Sequence, residues 1–370
     1  MTFKILHEEG AARIGQLKTA HGTIETPFFM PVLTKGTGKY ITTDDYRDMN
    51  IPAVISNAFL LSCKPGTKTI QQAGGLHHFM NFSGGIFTDC GGFQMSRSMY
   101  DAKSKKGLHF RNPFNNSKVV LTPKKIMEIQ LQLGSDVAMM LDDMSGYGVT
   151  HTQAKQAMEN THRWGKESLQ WHQELKKRYS SSQLLFGIIQ GNFYPELREE
   201  SARFINSLDF DGIAIGGVAI GEPKKEMYAA IDAAIPHISP AKPRYVMGVG
   251  SPEDLLELIG KGIDCFDSVY PTQTARHNTL FTKNGRINID QTKYQQDFTP
   301  IEEDCPCHTC TQYTKAYLHH LSKVQEPAVK RLNSIHNVYF ISNLLDEVKK
   351  SIKNQQFTEF KTTFLAKFKR

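Results

Sequence analysis

The sequence predicts an α/β chain built as a parallel βα barrel. Short apolar, β-rich runs recur about eight times, helical segments separate many of them, and polar residues end several runs abruptly. The runs lie at 27–33, 53–60, 86–89, 137–142, 184–190, 212–216, 244–248 and 265–269. Segments 123–133 and 152–177 between them carry helical apolar spacing, and 252–261 follows Ser251 with Pro252-Glu253-Asp254, a helix-start signal. Eight is the strand count that closes a barrel, although a doubly wound open sheet shows the same alternation and periodicity alone does not separate them. A dinucleotide-binding Rossmann reading is weak, because neither its glycine fingerprint nor a Walker sequence occurs.

Two stretches break the rhythm. Segment 97–120 sets Lys103, Lys105, Lys106, Arg111 and Lys118 among Gly, Asn and Ser, and reads as a hairpin-like excursion beyond the third strand. From about residue 300 the alternation stops and a cysteine cluster begins. The expected division is a catalytic barrel over residues 1–298, a zinc-binding subdomain over 299–345, and a basic helical segment over 346–370 that packs on the barrel.

With 370 residues and 39% hydrophobic content, the chain can bury a large core as one barrel with an appendage. It has no apolar run of about 18 residues, and Met1-Thr2-Phe3-Lys4 lacks the apolar stretch of a signal peptide. A soluble, cytoplasmic protein without membrane contact is therefore expected. The 44 Lys and Arg exceed the 37 Asp and Glu, and the tail from Lys349 to Arg370 is lysine-rich. That balance admits a polyanionic partner without demonstrating one.

Three of the six cysteines fall in Cys305-Pro306-Cys307-His308-Thr309-Cys310. Three thiolates at C-x-C-x-x-C spacing suit one tetrahedral zinc ion that needs a fourth ligand, and four protein ligands would make the site structural. His308, His319, His320 and His336 are the candidates, and spacing does not choose among them.

In parallel barrels the chemistry sits at the C-terminal ends of strands. Asp89 follows Ile86-Phe87-Thr88, Asp142 and Asp143 follow Met139-Met140-Leu141, Gln190 follows Gly187-Ile188-Ile189, and Asp267 follows Cys265-Phe266. Gly91, Gly92, Gly191, Gly216 and Gly217 beside them would let a flat ligand approach backbone N–H groups. Two carboxylates facing one sugar are what retaining glycosyl transfer needs, and a third beside an amide suits a purine edge. Any one of these aspartates alone reads equally as a helix cap or a solvated loop residue. Asp136, Asp143, Asp209, Asp211 and Asp264 lie near the same strands, so the residues by themselves leave the roles open.

Taken in order, the motifs resemble those of the tRNA-guanine transglycosylases across nearly the whole chain. Thr26-Pro27-Phe28-Phe29-Met30-Pro31-Val32 is similar to the family's first-strand signature, and Phe87-Thr88-Asp89-Cys90-Gly91-Gly92-Phe93-Gln94 to its D-S-G-G-[FY]-Q segment. The run from Gly216 to Glu222, Met247-Gly248-Val249-Gly250, and the stretch from Asp264 to Arg276 follow in the expected order, and Cys305 to Cys310 with His336-Asn337 resembles its zinc site.

The resemblance implies a TIM-type (β/α)8 barrel with an inserted zinc-binding subdomain. It implies exchange of the wobble guanine of G-U-N anticodon tRNAs for a free 7-deazaguanine, preQ1 or queuine, through a covalent aspartyl-ribosyl-RNA intermediate. Asp267 would be the nucleophile and Asp89 the general acid/base, with Asp142, Gln190 and the backbone at Gly217 and Val218 on the purine edge. Phe93 and Met247 would sandwich the base, Thr272, Gln273 and Arg276 would meet the anticodon loop, and His336 would complete the site for one structural Zn2+. The family's bacterial members usually form homodimers.

Four departures touch this reading. Cys90 stands where serine is usual, Asn57-Ala58-Phe59-Leu60 replaces N-T-Y-H, Gln273 replaces an arginine expected to contact tRNA, and Met144 replaces the cysteine lining the pocket beside the incoming base. Met144 makes room for queuine a live question, whereas Ile220, at a valine position that is glycine in eukaryotic enzymes, narrows the pocket. Retention of Asp89, Asp142 and Asp267 together argues against a catalytically silent accessory subunit. A carbohydrate hydrolase would want sugar-stacking aromatics, but Trp164 and Trp171 fall in a predicted outer helix.

Overall fold

In a computed structural model, residues 2–91 and 100–368 are described. Eight parallel strands form one sheet: Phe28–Pro31, Ala53–Asn57, Gly85–Asp89, Val137–Met139, Leu184–Ile189, Gly212–Ile215, Arg244–Val246 and Cys265–Ser268. Each pairs with its sequence neighbour, and the last pairs back onto the first with Phe28 opposite Cys265 and Met30 opposite Asp267. A single parallel bridge, Val32 to Ile55, with Leu33 N–H donating to the Ile55 carbonyl at 2.7 Å, joins the first strand to the second. The ring is a barrel, which removes the open-sheet alternative.

The strand residues are apolar on both faces because one face fills the barrel and the other meets the helices. Phe28, Phe87, Phe186 and Tyr245 come from the first, third, fifth and seventh strands. Phe87 lies 6.0 Å from Phe28, 5.8 Å from Phe186 and 6.3 Å from Tyr245, ring centre to ring centre. Four side chains from alternate strands are one packed layer of such a barrel, and here they form the floor under the catalytic mouth. Gly212 is where it is because a Cβ there would lie 2.4 Å from the Phe186 ring.

The helices begin where the sequence signals them. Thr122 Oγ1 accepts from Lys125 N–H to start Pro123–Leu133, which ends on left-handed Gly134. Thr150 and Gln153 form a capping box for His151–Arg178, and Ser251 Oγ accepts from Asp254 N–H ahead of Pro252–Ile259. The second predicted strand is shorter than expected, because Asn57 caps the helix Ala58–Cys63 through Leu60 N–H.

Three additions surround the barrel. Strands Phe3–Glu9, Ala12–Thr19 and Gly22–Glu25 form an antiparallel sheet that the sequence reading did not include. The excursion past the third strand contains Tyr100–Ser104, Gly107–Arg111 and Lys118–Leu121, also antiparallel. Toward the C-terminus a second apolar cluster, including Leu280, Ile289, Ile301, Leu318 and Leu332, holds the hairpin of Thr279–Thr282 and Gly285–Asn288 against helices Lys315–Lys323 and Ala328–Lys353. Ala328–Lys353 is one continuous helix running through residue 345, and the last helix, Phe357–Phe368, packs Phe364 and Phe368 on Phe340. Among the described residues no helix is long and apolar enough to cross a membrane.

Candidate functional site

A cavity of about 480 Å³ opens at the C-terminal mouth of the barrel. Asp89, Asp142, Gly217, Val218, Met247, Asp267 and Gln273 all line it, although they come from separate strands and loops. Gln190 is buried beneath, with its side chain on Asp142. Phe93, expected over one face of the base, lies outside the described residues.

Asp267 ends the eighth strand. Its Oδ1 accepts twice, from the Tyr245 hydroxyl at 2.6 Å and from Gly248 N–H at 3.0 Å. Both donors found among the described residues go to the same oxygen, so Oδ2 is left for other chemistry. Burial raises the Asp267 carboxyl above its ordinary pKa, against these two donors, which favour its charged form.

Asp89 ends the third strand, and its Oδ1 is buried without a hydrogen-bond partner among the described residues. Burial, then the nearby charges of Asp267 and Asp142, push its pKa up to about 8, while Gly91 N–H works the other way. Asp89 is therefore placed to carry a proton near neutral pH beside the Asp267 carboxyl.

Asp142 follows the fourth strand and is held at both oxygens. Gln190 Nε2 donates to Oδ2 at 2.7 Å and the Cys90 thiol to Oδ1 at 3.3 Å. Burial raises it to about 6 in spite of those donors. Cys90 thus keeps a donor where the family's serine would stand. Gln190 uses its amide N–H on Asp142, and its Oε1 is buried without a partner among the described residues. Among the described residues, a buried carboxylate oxygen at the cavity wall and a buried amide oxygen beneath it have no donor, which suits a hydrogen-bonding ligand.

The turn after the sixth strand supplies donors. Gly217 has φ +64°, and a Cβ there would fall 2.4 Å from Gln190 Oε1, so both the conformation and the space require glycine. Glu222 ties the loop back by accepting from Ala219 and Ile220 N–H at 2.6 and 2.8 Å. On the rim, Thr272, Gln273 and Arg276 sit on the helix Tyr270–Arg276 directly after Asp267. Gln273 is exposed there, while Thr272 Oγ1 donates to the Val269 carbonyl at 3.0 Å.

The competing aspartates belong elsewhere. Asp264 forms a buried ion pair with Arg13 at 2.5 Å and accepts from Arg244 N–H before the eighth strand begins. Asp136 precedes the fourth strand and takes His21, His77 and Ile86 N–H. Asp211 caps Leu185 N–H at 2.9 Å, Asp209 is exposed, and Asp143 turns out to Lys103 and Asn160. The sequence reading missed Tyr245 and Arg198. Tyr245 had a signal, an aromatic with a polar tip on the short strand Arg244–Val246.

Cys305, Cys307, Cys310 and His336 bring their ligand atoms within 4.8 Å of one another, enough to hold a metal ion. His336 Nδ1 lies 3.9, 3.6 and 3.3 Å from the three sulfurs. Its Nε2–H donates to the Phe281 carbonyl at 2.7 Å, which fixes the tautomer and leaves the Nδ1 lone pair toward the thiols. His319 instead pairs with the Ile289 carbonyl, so it is not the fourth member.

The model of the family described as queuine tRNA-ribosyltransferase matches residues 8–370. A queuine tRNA-ribosyltransferase of Macrococcus caseolyticus is 44% identical over 363 residues, covering 98% of this chain and 94% of its own. One from Caldanaerobacter subterraneus subsp. tengcongensis is 43% identical, with 96% and 94% covered. One from Vibrio atlanticus is 42% identical, with 100% and 97% covered.

Proposed function

From the membership of this chain in the queuine tRNA-ribosyltransferase family, a family of pentosyltransferases, we propose that it exchanges the wobble guanine of G-U-N anticodon tRNAs for a free 7-deazaguanine. The observation that carries the reading is the convergence of Asp89, Asp142 and Asp267 on one cavity, with acceptors on Asp89 and Gln190 that have no partner among the described residues.

A base inside a duplex is out of reach, but an anticodon loop can splay one out at low cost. The guanine then lies with its N1–H and amino group toward Asp142, its carbonyl oxygen toward Gly217 and Val218 N–H, and one face on Met247. Asp267 Oδ2 attacks C1′ while the C1′–N9 bond breaks, its electron pair leaves with the base, and Asp89 gives the base a proton. The ribosyl ester keeps the RNA on the enzyme while guanine departs. The incoming base returns a proton to Asp89, bonds C1′ through N9 and frees Asp267, so one glycosidic bond replaces another without an outside energy source.

One Zn2+ on Cys305, Cys307, Cys310 and His336 suits the three-sulfur, one-nitrogen donor set. Its contribution is structural, because four protein ligands leave no position for water. The protein acts in the cytoplasm and as a homodimer in this reading, a state that light scattering checks.

The deciding test is displacement of labelled guanine from tRNA, chased separately by preQ1 and queuine, together with a search for a covalent RNA–protein band on denaturing gels. The wild type should form that band and Asp267→Asn should not. A persistent band in the variant removes Asp267 as nucleophile. No exchange in the wild type removes the reading altogether.

A further inference from the structure

Behind the base-reading turn lies a cation that none of the roles above uses. Arg198, in the helix Pro195–Asn206, is completely buried. Its Nε donates to the Asn192 carbonyl at 2.5 Å, Nη1 to those of Gly216 and Ile189 at 2.7 and 3.3 Å, and Nη2 to that of Gly217 at 3.0 Å. Every one of these acceptors is a neutral carbonyl, and among the described residues Arg198 makes no ion pair.

Burying a full charge against carbonyls alone is costly, and such charges are found where a site uses them. Burial lowers the guanidinium to about 9, with the Glu222 charge opposing, so it stays protonated at neutral pH. Its geometry has a direct consequence. In a trans peptide the C=O and the following N–H point in opposite directions. Drawing the Gly216 and Gly217 carbonyls back to Arg198 therefore turns Gly217 and Val218 N–H the other way, toward the cavity that these residues line. Neither N–H has a hydrogen-bond partner among the described residues. Two successive N–H groups around a left-handed glycine make a concave anion cradle.

We propose that Arg198 is the positioning residue for base departure: it aims the Gly217 and Val218 N–H pair at the carbonyl oxygen of the leaving base and backs that pair with a buried positive charge. The proposal rests on the transglycosylase reading. As C1′–N9 breaks, the electron pair spreads from N9 through the ring onto that oxygen until the proton from Asp89 arrives. Donors fixed before the reaction and aimed at that oxygen lower the barrier, because they need not reorganise.

The test measures guanine exchange by Arg198→Met and Arg198→Lys beside the wild type, with circular dichroism melts of the same samples. Arg198→Met should lose about 100-fold or more in kcat, with the KM for tRNA moving little. Arg198→Lys, which keeps the charge but loses the fork, should recover roughly tenfold of that. A kcat near wild type in Arg198→Met, or a loss confined to KM, overturns the proposal. If Arg198→Met does not fold, Arg198→Lys decides, and an unchanged kcat there overturns it. A wild type that exchanges guanine while these outcomes fail defeats this inference alone, whereas one that exchanges none defeats the functional reading beneath it.

Discussion

Asp89 should make the protein less stable as pH rises, and Asp89→Asn should remove that dependence. An unfolded aspartate ionises near its ordinary value of 3.8, but the folded Asp89 holds its proton up to about 8. Between those values the native state binds the extra proton, so stability falls with pH, and the loss levels off above the folded value. Each unit corresponds to about 1.4 kcal/mol, so roughly 4 kcal/mol separates pH 5 from pH 8. The asparagine variant has no proton to hold. Its advantage over the wild type should be small at pH 5 and grow by a few kcal/mol at pH 8. Urea unfolding of both proteins at pH 5, 6.5 and 8 measures it, with the m-value checking that the unfolded states match. A gap of the same size at all three values would refute the reasoning, because it would mean that Asp89 is ionised in the fold throughout. The same variant should lose exchange activity, since in the proposed reaction Asp89 is the residue that moves the proton.

Four further outcomes follow from particular contacts. Asp142→Ala should raise the KM for the free base at least tenfold, because it also strands the Gln190 amide, and equilibrium competition with guanine reads it. Stripping the metal with a chelator, or Cys310→Ser, should loosen the apolar cluster around Leu318 and Leu332, seen as faster amide exchange there while the barrel layer around Phe87 stays protected. If Ile220 walls off the larger base, Ile220→Gly should raise kcat/KM for queuine relative to preQ1 by about tenfold or more, and an unchanged ratio places the limit elsewhere. Gln273→Arg should lower the KM for tRNA and steepen its salt dependence by close to one counterion, with the KM for the free base unchanged.

The barrel was legible because its strands are short and apolar on both faces, and because its helices open on strong caps at Thr122, Thr150 and Ser251. Closure was not legible. It depends on the Val32–Ile55 bridge and on the pairing of Cys265 with Phe28, contacts between residues far apart in the chain. The N-terminal sheet was missed for a related reason. Phe3–Glu9 and Ala12–Thr19 mix charged and apolar residues without clean alternation, because one side packs Phe3, Ile14 and Leu17 while Arg13 turns inward to Asp264. Arg198 left no trace either, since an arginine on an amphipathic helix reads as a solvated residue until its carbonyl partners are seen.

The aspartates were more legible than the sequence reading made them. Barrel chemistry gathers at the C-terminal ends of strands, so a carboxylate that follows an apolar run faces the catalytic mouth and one that precedes it faces the opposite end. Asp136 comes directly before Val137, Asp211 before Gly212, and Asp264 before Cys265, and all three cap or pair at the bottom of the barrel. Asp264 lies just before the eighth strand and Asp267 within it, three residues on, which is about 10 Å of extended chain. That distance is enough to give one a buried arginine and the other a cavity. Direction alone would therefore have removed three of the five competitors without any resemblance to a family. Exposure at the surface disposes of Asp209. Asp143 is the one direction cannot remove, because it adjoins Asp142 beyond the same strand. The two diverge only through tertiary partners, Lys103 and Asn160 drawing one outward while Gln190 and Cys90 hold the other at the cavity.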